Sequence, residues 1–404
     1  MAIVRLGDLI DQPAAGGFLR SVVASGRFGT AYLLHGPAGV GKGTAAIAFA
    51  RALLCEHGVA EPAKGDDLFA AAAPPPPPPT APVDDACGVC RACLKTGDLQ
   101  HPDLKFLFPV SGEERELDDT VAETMGALRG DPLHVFAYEK AASIRLSMTR
   151  ELLRELSYQP YEAARRVVVV RDADRMREDQ YSALLKSIEE PGATVWVLTT
   201  SRPTRLPATI RSRCQRIRFA PLAESTVARF LEQRAEVAPD DAALISALSS
   251  GSLSRALELD ASDIKPADLR NEALALLVPA QAGDPAALWK ACQAFMKYGK
   301  TGRERLRRMI EFHQLWLRDL LRARAGAPRE MLAHRDREAD IRRVAATVSP
   351  AEIRRRLMVL EEALRSIDGN VTADLTLFST LGRLAGARLG EGEWPAYSMA
   401  RWDY

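Results

Sequence analysis

Between Ala31 and Phe49 the chain passes from an apolar run, AYLLH, through a glycine-rich stretch, GPAGVGK, into TAAIAF. That succession predicts a short strand, a tight turn and a helix. A second run, Val167 to Val170, is β-branched throughout and bounded by charge, the pattern of a strand buried in a parallel sheet. Residues 183–219 then read as a helix, a proline-broken turn, a buried strand from Thr194 to Thr200, a loop, and a short helix ending at Arg211-Ser212-Arg213-Cys214. Strands alternating with helices in this way predict an α/β first domain.

The pattern changes after Pro221. Up to about Leu259 it suggests a small helical domain, broken at Ser250-Gly251-Ser252, with Asp240 as a helix cap. Residues 270–390 are rich in leucine, alanine and arginine at helical spacing, and Leu306, Met309, Ile310, Trp316, Leu317 and Leu320 fall on one broad face. Such a stripe fits a bundle core. Arg303, Arg305, Arg307 and Arg308 beside it read as a solvated helix face with Glu304 and Glu311 for neighbours.

A chain of 404 residues allows two or three domains. Its 54 basic and 53 acidic side chains nearly cancel, which argues against a protein that coats nucleic acid by charge alone. The opening MAIVRLGDLIDQ lacks a basic start followed by an apolar core, and no stretch of eighteen uncharged apolar residues follows. A soluble, cytoplasmic protein without membrane partners is expected, and there the six cysteines favour metal binding or burial over disulfides.

Two constellations carry chemistry. In the first, Gly36, Gly39 and Gly41 leave room for backbone amides to face phosphates, Lys42 adds a point charge, and the following helix adds its dipole. The usual pattern has Ser or Thr directly after the lysine to hold magnesium. Here Gly43 stands at that place, with Thr44 one position later. The acidic strand that completes such a site, four apolar residues followed by Asp-Glu, reads VVVVRD: Arg171 falls at the metal aspartate and Asp172 at the water-activating glutamate. Sliding by one residue puts Asp172 at the metal and Ala173 at the base. Either register leaves a damaged hydrolytic site, so ATP with magnesium is a doubtful ligand.

The second constellation is Cys55 with Cys87, Cys90 and Cys93 in CGVCRAC. Two-residue gaps let a turn aim successive sulfurs at one ion, and four thiolates make a closed, structural zinc site. Buried free thiols, or disulfides in an exported chain, are the alternatives. Residues 57–86, which include AAAPPPPPPTAP, read as a partly polyproline insertion between two parts of the site.

Beyond the phosphate loop, LLKSIEEP at 184–191, the polar strand end at Thr199 and Thr200, and SRC at 212–214 resemble the clamp-loader branch of the AAA+ ATPases. Adding the cysteine module, HPD at 101–103 and the degenerate VVRDADRM, most of the first 260 residues resemble the δ′ family of the bacterial DNA polymerase III clamp loader. The proline insertion and a further one around 111–132 (111–140 at its widest) depart from that family. The resemblance implies a RecA-like AAA+ P-loop domain over 1–220 with an inserted zinc module (55–93), a helical lid over 221–265, and an all-α collar over 266–404 that holds subunits in a ring. It implies a stator without hydrolysis of its own, whose Arg213 reaches a neighbour's ATP as a finger, an effect worth about 10³ to 10⁵ in rate. Arg255 falls at a second sensor position toward the nucleotide. The implied partners are the γ or τ and δ subunits, the sliding clamp and primer-template DNA. A surface ion pair remains the alternative for Arg213, an exposed helix arginine the alternative for Arg255. Two other functions stay open: a working ATPase, either a γ/τ-like motor or a relative acting in repair, in which Thr44 reaches magnesium and Asp172 serves as the acid, and a zinc-bearing scaffold.

Overall fold

A computed structural model describes residues 5–57, 84–111, 117–130, 142–262, 265–282, 284–296, 302–368 and 372–385. Most of the proline-rich insertion (58–83), parts of the second insertion (112–116, 131–141) and residues 369–371 of the collar-like tail lie outside the described residues. Contacts divide the chain into two units. One holds residues up to Thr226 together with Gly251–Arg255, and the other holds Val227–Ser250 with the chain from Ala256 onward.

The first unit is built on a five-stranded parallel sheet of order β2-β3-β4-β1-β5, with β1 Ala31–His35, β2 Leu104–Leu107, β3 Arg166–Val170, β4 Thr194–Thr200 and β5 Gln215–Arg218. Helices α1 (Pro13–Ser25), α2 (Lys42–Leu54), α3 (Arg91–Gly97), α4 (Leu117–Gly130), α5 (Leu146–Glu155), α6 (Glu178–Glu189) and α7 (Ala208–Arg213) connect the strands. All seven residues of β4 and all five of β3 are buried, as strands covered on both faces require. Alternate side chains serve two cores. Tyr32, Leu34, Val167, Val169, Val195 and Val197 pack with Phe49 and the α1 and α2 residues, while Leu33, Val168, Val170, Trp196 and Leu198 pack with Leu152, Leu184, Ile188 and Ile210. This is the α/β P-loop architecture expected from the sequence.

Two polar residues hold the segment that leads into β3. Arg166, 1% exposed, donates to the carbonyls of Glu155, Tyr158 and Gln159, so the charge that bounds the apolar run on paper closes the end of α5 in the fold. Asp103 of the HPD triplet is fully buried and accepts from the amides of Tyr161, Glu162 and Ala163 at 2.6, 2.8 and 2.8 Å. Against the opposing effect of burial, those donors hold its carboxyl below the usual range.

The second unit is helical among its described residues: α9 (Pro239–Ser249), α11 (Pro266–Ala275), α12 (Leu277–Ala282), α13 (Pro285–Met296), α14 (Gly302–Arg324), α15 (Glu338–Thr347), α16 (Pro350–Asp368) and α17 (Ala373–Ala385), with most of α8 (Glu224–Arg234) and α10 (Leu253–Asp260). Helix α14 is its axis, packed on α9, α11, α15, α16 and α17. The expected stripe is its core: Leu306, Met309, Ile310, Leu317 and Leu320 are buried, and Trp316 is half-buried with its ring edge-on to His334.

Two expectations fail here. Asp240 does not cap α9, because Pro239 already occupies the first helical turn and Ala238 is the cap; Asp240 lies 3.4 Å from Arg329 instead. Nor do Arg305, Arg307 and Arg308, the members of the α14 arginine cluster whose side chains are described, form a solvated face. Arg305 is 6% exposed, stacks over Phe295 and pairs with Glu272, and Arg307 and Arg308 are half-buried. Arg305 lies one turn before the core residue Met309, so helix geometry turns it inward, where it meets Glu272 of α11.

Candidate functional site

Parallel strands deliver their C-terminal ends to one edge of the sheet, and β1, β3 and β4 are adjacent there. The loop after β1, the Arg171-Asp172 turn after β3 and the Thr199-Thr200 end of β4 therefore converge. The amide of Gly36 donates to the Thr200 carbonyl, and Asp172 donates its amide to the Thr199 hydroxyl at 3.0 Å.

The phosphate loop has its expected shape. Gly36, Gly39 and Gly41 have φ of 148°, 72° and 92°. A side chain at Gly36 would strike the Phe219 carbonyl, so the turn requires glycine. Lys42, 5% exposed, donates to the carbonyls of Gly36 (2.9 Å) and Pro37. Burial pushes its pKa down to about 8; Asp172 opposes that shift and Arg171 adds to it. The neighbouring His35 is lowered by burial and by Arg216, Arg218 and Lys42. Arg255 belongs to the segment Gly251–Arg255 that packs with this unit, where the Leu253 amide donates to the Gly39 carbonyl at 2.9 Å; Arg255 itself is half-buried. Thr44 is half-buried in the first turn of α2.

The two departures from a hydrolytic site meet in space. A Cβ built on Gly43 would lie 3.1 Å from an Arg171 guanidinium nitrogen and 3.5 Å from its central carbon. The arginine thus lies against the position where a Ser or Thr would present its hydroxyl to magnesium. Asp172 is in the left-handed conformation, φ 47°, with its carboxylate 3.7 Å from Arg171 Nε. The acid that is buried at this edge is Asp174, which the sequence pattern did not single out. Its oxygens accept from the Thr200 hydroxyl at 2.7 Å and from Arg202 Nε at 2.8 Å. An acid two residues past a misaligned Asp was the available signal.

Arg213 ends α7 away from these residues in sequence. Its side chain is 40% exposed, paired with Glu189 at 2.5 Å, and donates to the Thr209 carbonyl at 3.0 Å. Glu189 is the first acid of the EEP triplet, a partner the sequence did not suggest.

The four cysteines converge as their spacing predicts. Their sulfurs all lie within 4.8 Å of one another, with Cys55 to Cys90 and Cys87 to Cys93 both at 3.9 Å. A tetrahedron of zinc–sulfur bonds of about 2.3 Å requires sulfurs roughly 3.8 Å apart. Backbone amides of Cys87, Cys90 and Cys93 point at Cys55, Cys87 and Cys90 sulfurs at 3.3–3.4 Å, donors that favour thiolates. The hydrogen bond from Cys93 is the largest cause holding the Cys55 thiol below its ordinary value, against the opposing effect of burial. Geometry and donors fit zinc, held by Cys55, Cys87, Cys90 and Cys93. His57 lies 3.6 Å from the Cys87 sulfur. No helix among the described residues is long and apolar enough to cross a membrane.

Residues 80–223 match the family model described as DNA polymerase III, delta subunit. The chain is 28% identical over 254 residues to DNA polymerase III subunit delta′ of Bacillus subtilis, covering 62% of this chain and 60% of that protein. It is 31% identical over 227 residues to the delta′ subunit of Pseudomonas aeruginosa, covering 55% and 53% respectively. The tau subunit of Bacillus subtilis is 26% identical over 216 residues, which is 53% of this chain and 29% of that protein. The matched segment thus spans less than two thirds of each relative. Among solved structures, a gamma subunit-related protein from Thermotoga maritima aligns with a TM-score of 0.34 and 16% identity, covering 73% of this chain and 98% of that one.

Proposed function

From the chain's similarity to the delta′ subunits of DNA polymerase III, we propose that it is a clamp-loader subunit of the stator kind, which turns over no ATP itself and lends Arg213 to the ATP site of an adjoining motor subunit. The observation that carries this reading is the contact between Arg171 and Gly43. A cation lies where magnesium would need oxygen ligands, so the water-activating arrangement of a P-loop ATPase is missing from this chain's own site. Arg213 has the opposite character: a half-exposed guanidinium at a helix end, able to reach outward.

In this reading residues 1–220 form the P-loop domain, 221–265 a lid and 266–404 the collar that binds neighbouring subunits. The four cysteines hold a structural zinc, which contributes folding energy and no chemistry. The partners are γ or τ and δ subunits, with the sliding clamp and primer-template DNA met by the assembled ring through phosphates and shape.

A γ/τ-like motor is the second reading, favoured by the well-formed loop around Lys42 and by the similarity to tau. Phosphate release by the isolated chain with magnesium ATP separates them. The stator gives no turnover above that of a Lys42→Ala variant, whereas turnover abolished by Lys42→Ala makes the chain a motor and overturns the proposal.

A further inference from the structure

Three consecutive residues follow the end of α2, and each meets the cysteine module. Cys55 brings its sulfur into the cluster, Glu56 accepts from the Ala92 amide in the first turn of α3 at 3.1 Å, and His57 sets its ring Nδ1 3.6 Å from the Cys87 sulfur. The two contacts before it fix the backbone that carries the ring. In the sequence His57 opens the stretch 57–86 and belongs to no spacing pattern with CGVCRAC.

The sulfur it meets is the exposed one. Cys55, Cys90 and Cys93 are buried, whereas Cys87 is half-buried and His57 lies exposed beside it. Among the described residues, the group whose ligand atoms all lie within 4.8 Å of one another consists of the four cysteines, so His57 touches the cluster from outside and does not complete it. A thiolate bound to zinc carries no proton. At this contact the ring is therefore the donor, with its hydrogen on Nδ1. The same sulfur accepts from the amides of Val89 at 3.5 Å and Cys90 at 3.3 Å. Donors of this kind stabilise the deprotonated sulfur that binds metal, fix its direction, and occupy the lone pairs that a proton or an electrophile would attack. A reagent that opens the site from solvent meets Cys87 first, and His57 stands at that approach.

We propose that His57 is a positioning residue of the zinc centre, donating from Nδ1 to the Cys87 thiolate and slowing loss of the metal through its exposed ligand. The inference rests on the reading of the four cysteines as a zinc site and adds to it a side chain outside the ligand set. Its effect is on retention of the ion, not on the identity of the ligands.

The test is transfer of zinc from the full chain to a chromogenic chelator, 4-(2-pyridylazo)resorcinol, followed by absorbance for wild type, His57→Ala and His57→Asn. Metal analysis of each protein comes first, and circular dichroism establishes that each is folded. Release should be about tenfold faster in His57→Ala, the lower end of what removal of an outer-shell partner costs a metal site. His57→Asn, whose side-chain amide can present an N–H near the place of Nδ1, should stay within about twofold of wild type. Loading with cobalt instead of zinc should give wild type and His57→Ala the same thiolate-to-metal absorption, because four sulfurs ligate in both. Release from His57→Ala at the wild-type rate overturns the proposal, and so does release from His57→Asn as fast as from His57→Ala, which would assign the effect to the bulk of the ring. A cobalt spectrum that changes in His57→Ala overturns it as well, by making His57 a ligand. Wild-type protein that holds no zinc sinks the zinc reading itself, and the proposal with it, whereas one zinc ion per chain with unchanged release rates sinks the proposal alone.

Discussion

The Arg213 guanidinium lies 2.5 Å from the Glu189 carboxylate, joining the end of α7 to the end of α6 just before Pro191. Both side chains are 40–45% exposed, so the pair is screened by solvent and contributes at most about 1 kcal/mol to folding. In the stator reading proposed above, the pair aims the arginine. Glu189→Gln should therefore leave the melting temperature within about 2 °C of wild type. A loss several times larger would mean that the pair is a structural strut and that Arg213 is not free to leave it.

Zinc is tested by composition and stability together. Metal analysis of purified protein should find one zinc ion per chain, and Cys90→Ser should lower that content and the melting temperature, as should a strong chelator on the wild type. Metal-free protein with an unchanged melting temperature would mean that the four thiols are only packed together.

The HPD triplet makes a stability prediction. Asp103→Ala removes a charged acceptor from three amides at once and leaves them buried, which should cost on the order of 3 kcal/mol in denaturant unfolding. A loss under about 1 kcal/mol would show that water replaces the carboxylate and that the loop 161–163 does not depend on it.

His313 should set an acid limit. Fully buried on α14, it is held down to about 4, above all by burial, while the unfolded chain protonates near 6.5. A base whose folded pKa is depressed contributes stability above pH 6.5 and loses it as pH falls from there toward 4. Between pH 7 and 5 the loss from this residue is about 2 kcal/mol. Melting curves at those two pH values, compared for wild type and His313→Asn, should show a smaller difference in the variant; an equal difference would place the acid sensitivity elsewhere.

What was legible in the sequence follows from locality. β1, the loop and α2 lie in one continuous run, and β4 announces itself by seven residues that are all buried. The cysteine spacing alone brought four sulfurs together, though Cys55 is distant in sequence from the other three. Long-range partnerships were hidden. Arg166 and Arg305 look like surface charges until Glu155 and Phe295 arrive from other helices. Asp103 looked like a family marker until its three amides appeared. The Gly43 and Arg171 departures read as two independent losses, and only the parallel pairing of β3 with β4, and of β4 with β1, shows them to be neighbours.

The most direct test of the stator reading is ATP turnover by the ring assembled from this chain with the γ or τ and δ subunits of its own organism, on primed DNA with the sliding clamp, comparing wild type with Arg213→Ala. The account predicts that the variant assembles as wild type does while the turnover of the motor site beside it falls by a factor of about 10³ or more. Unchanged turnover in a fully assembled ring would contradict it and leave Arg213 as the surface ion pair it makes with Glu189.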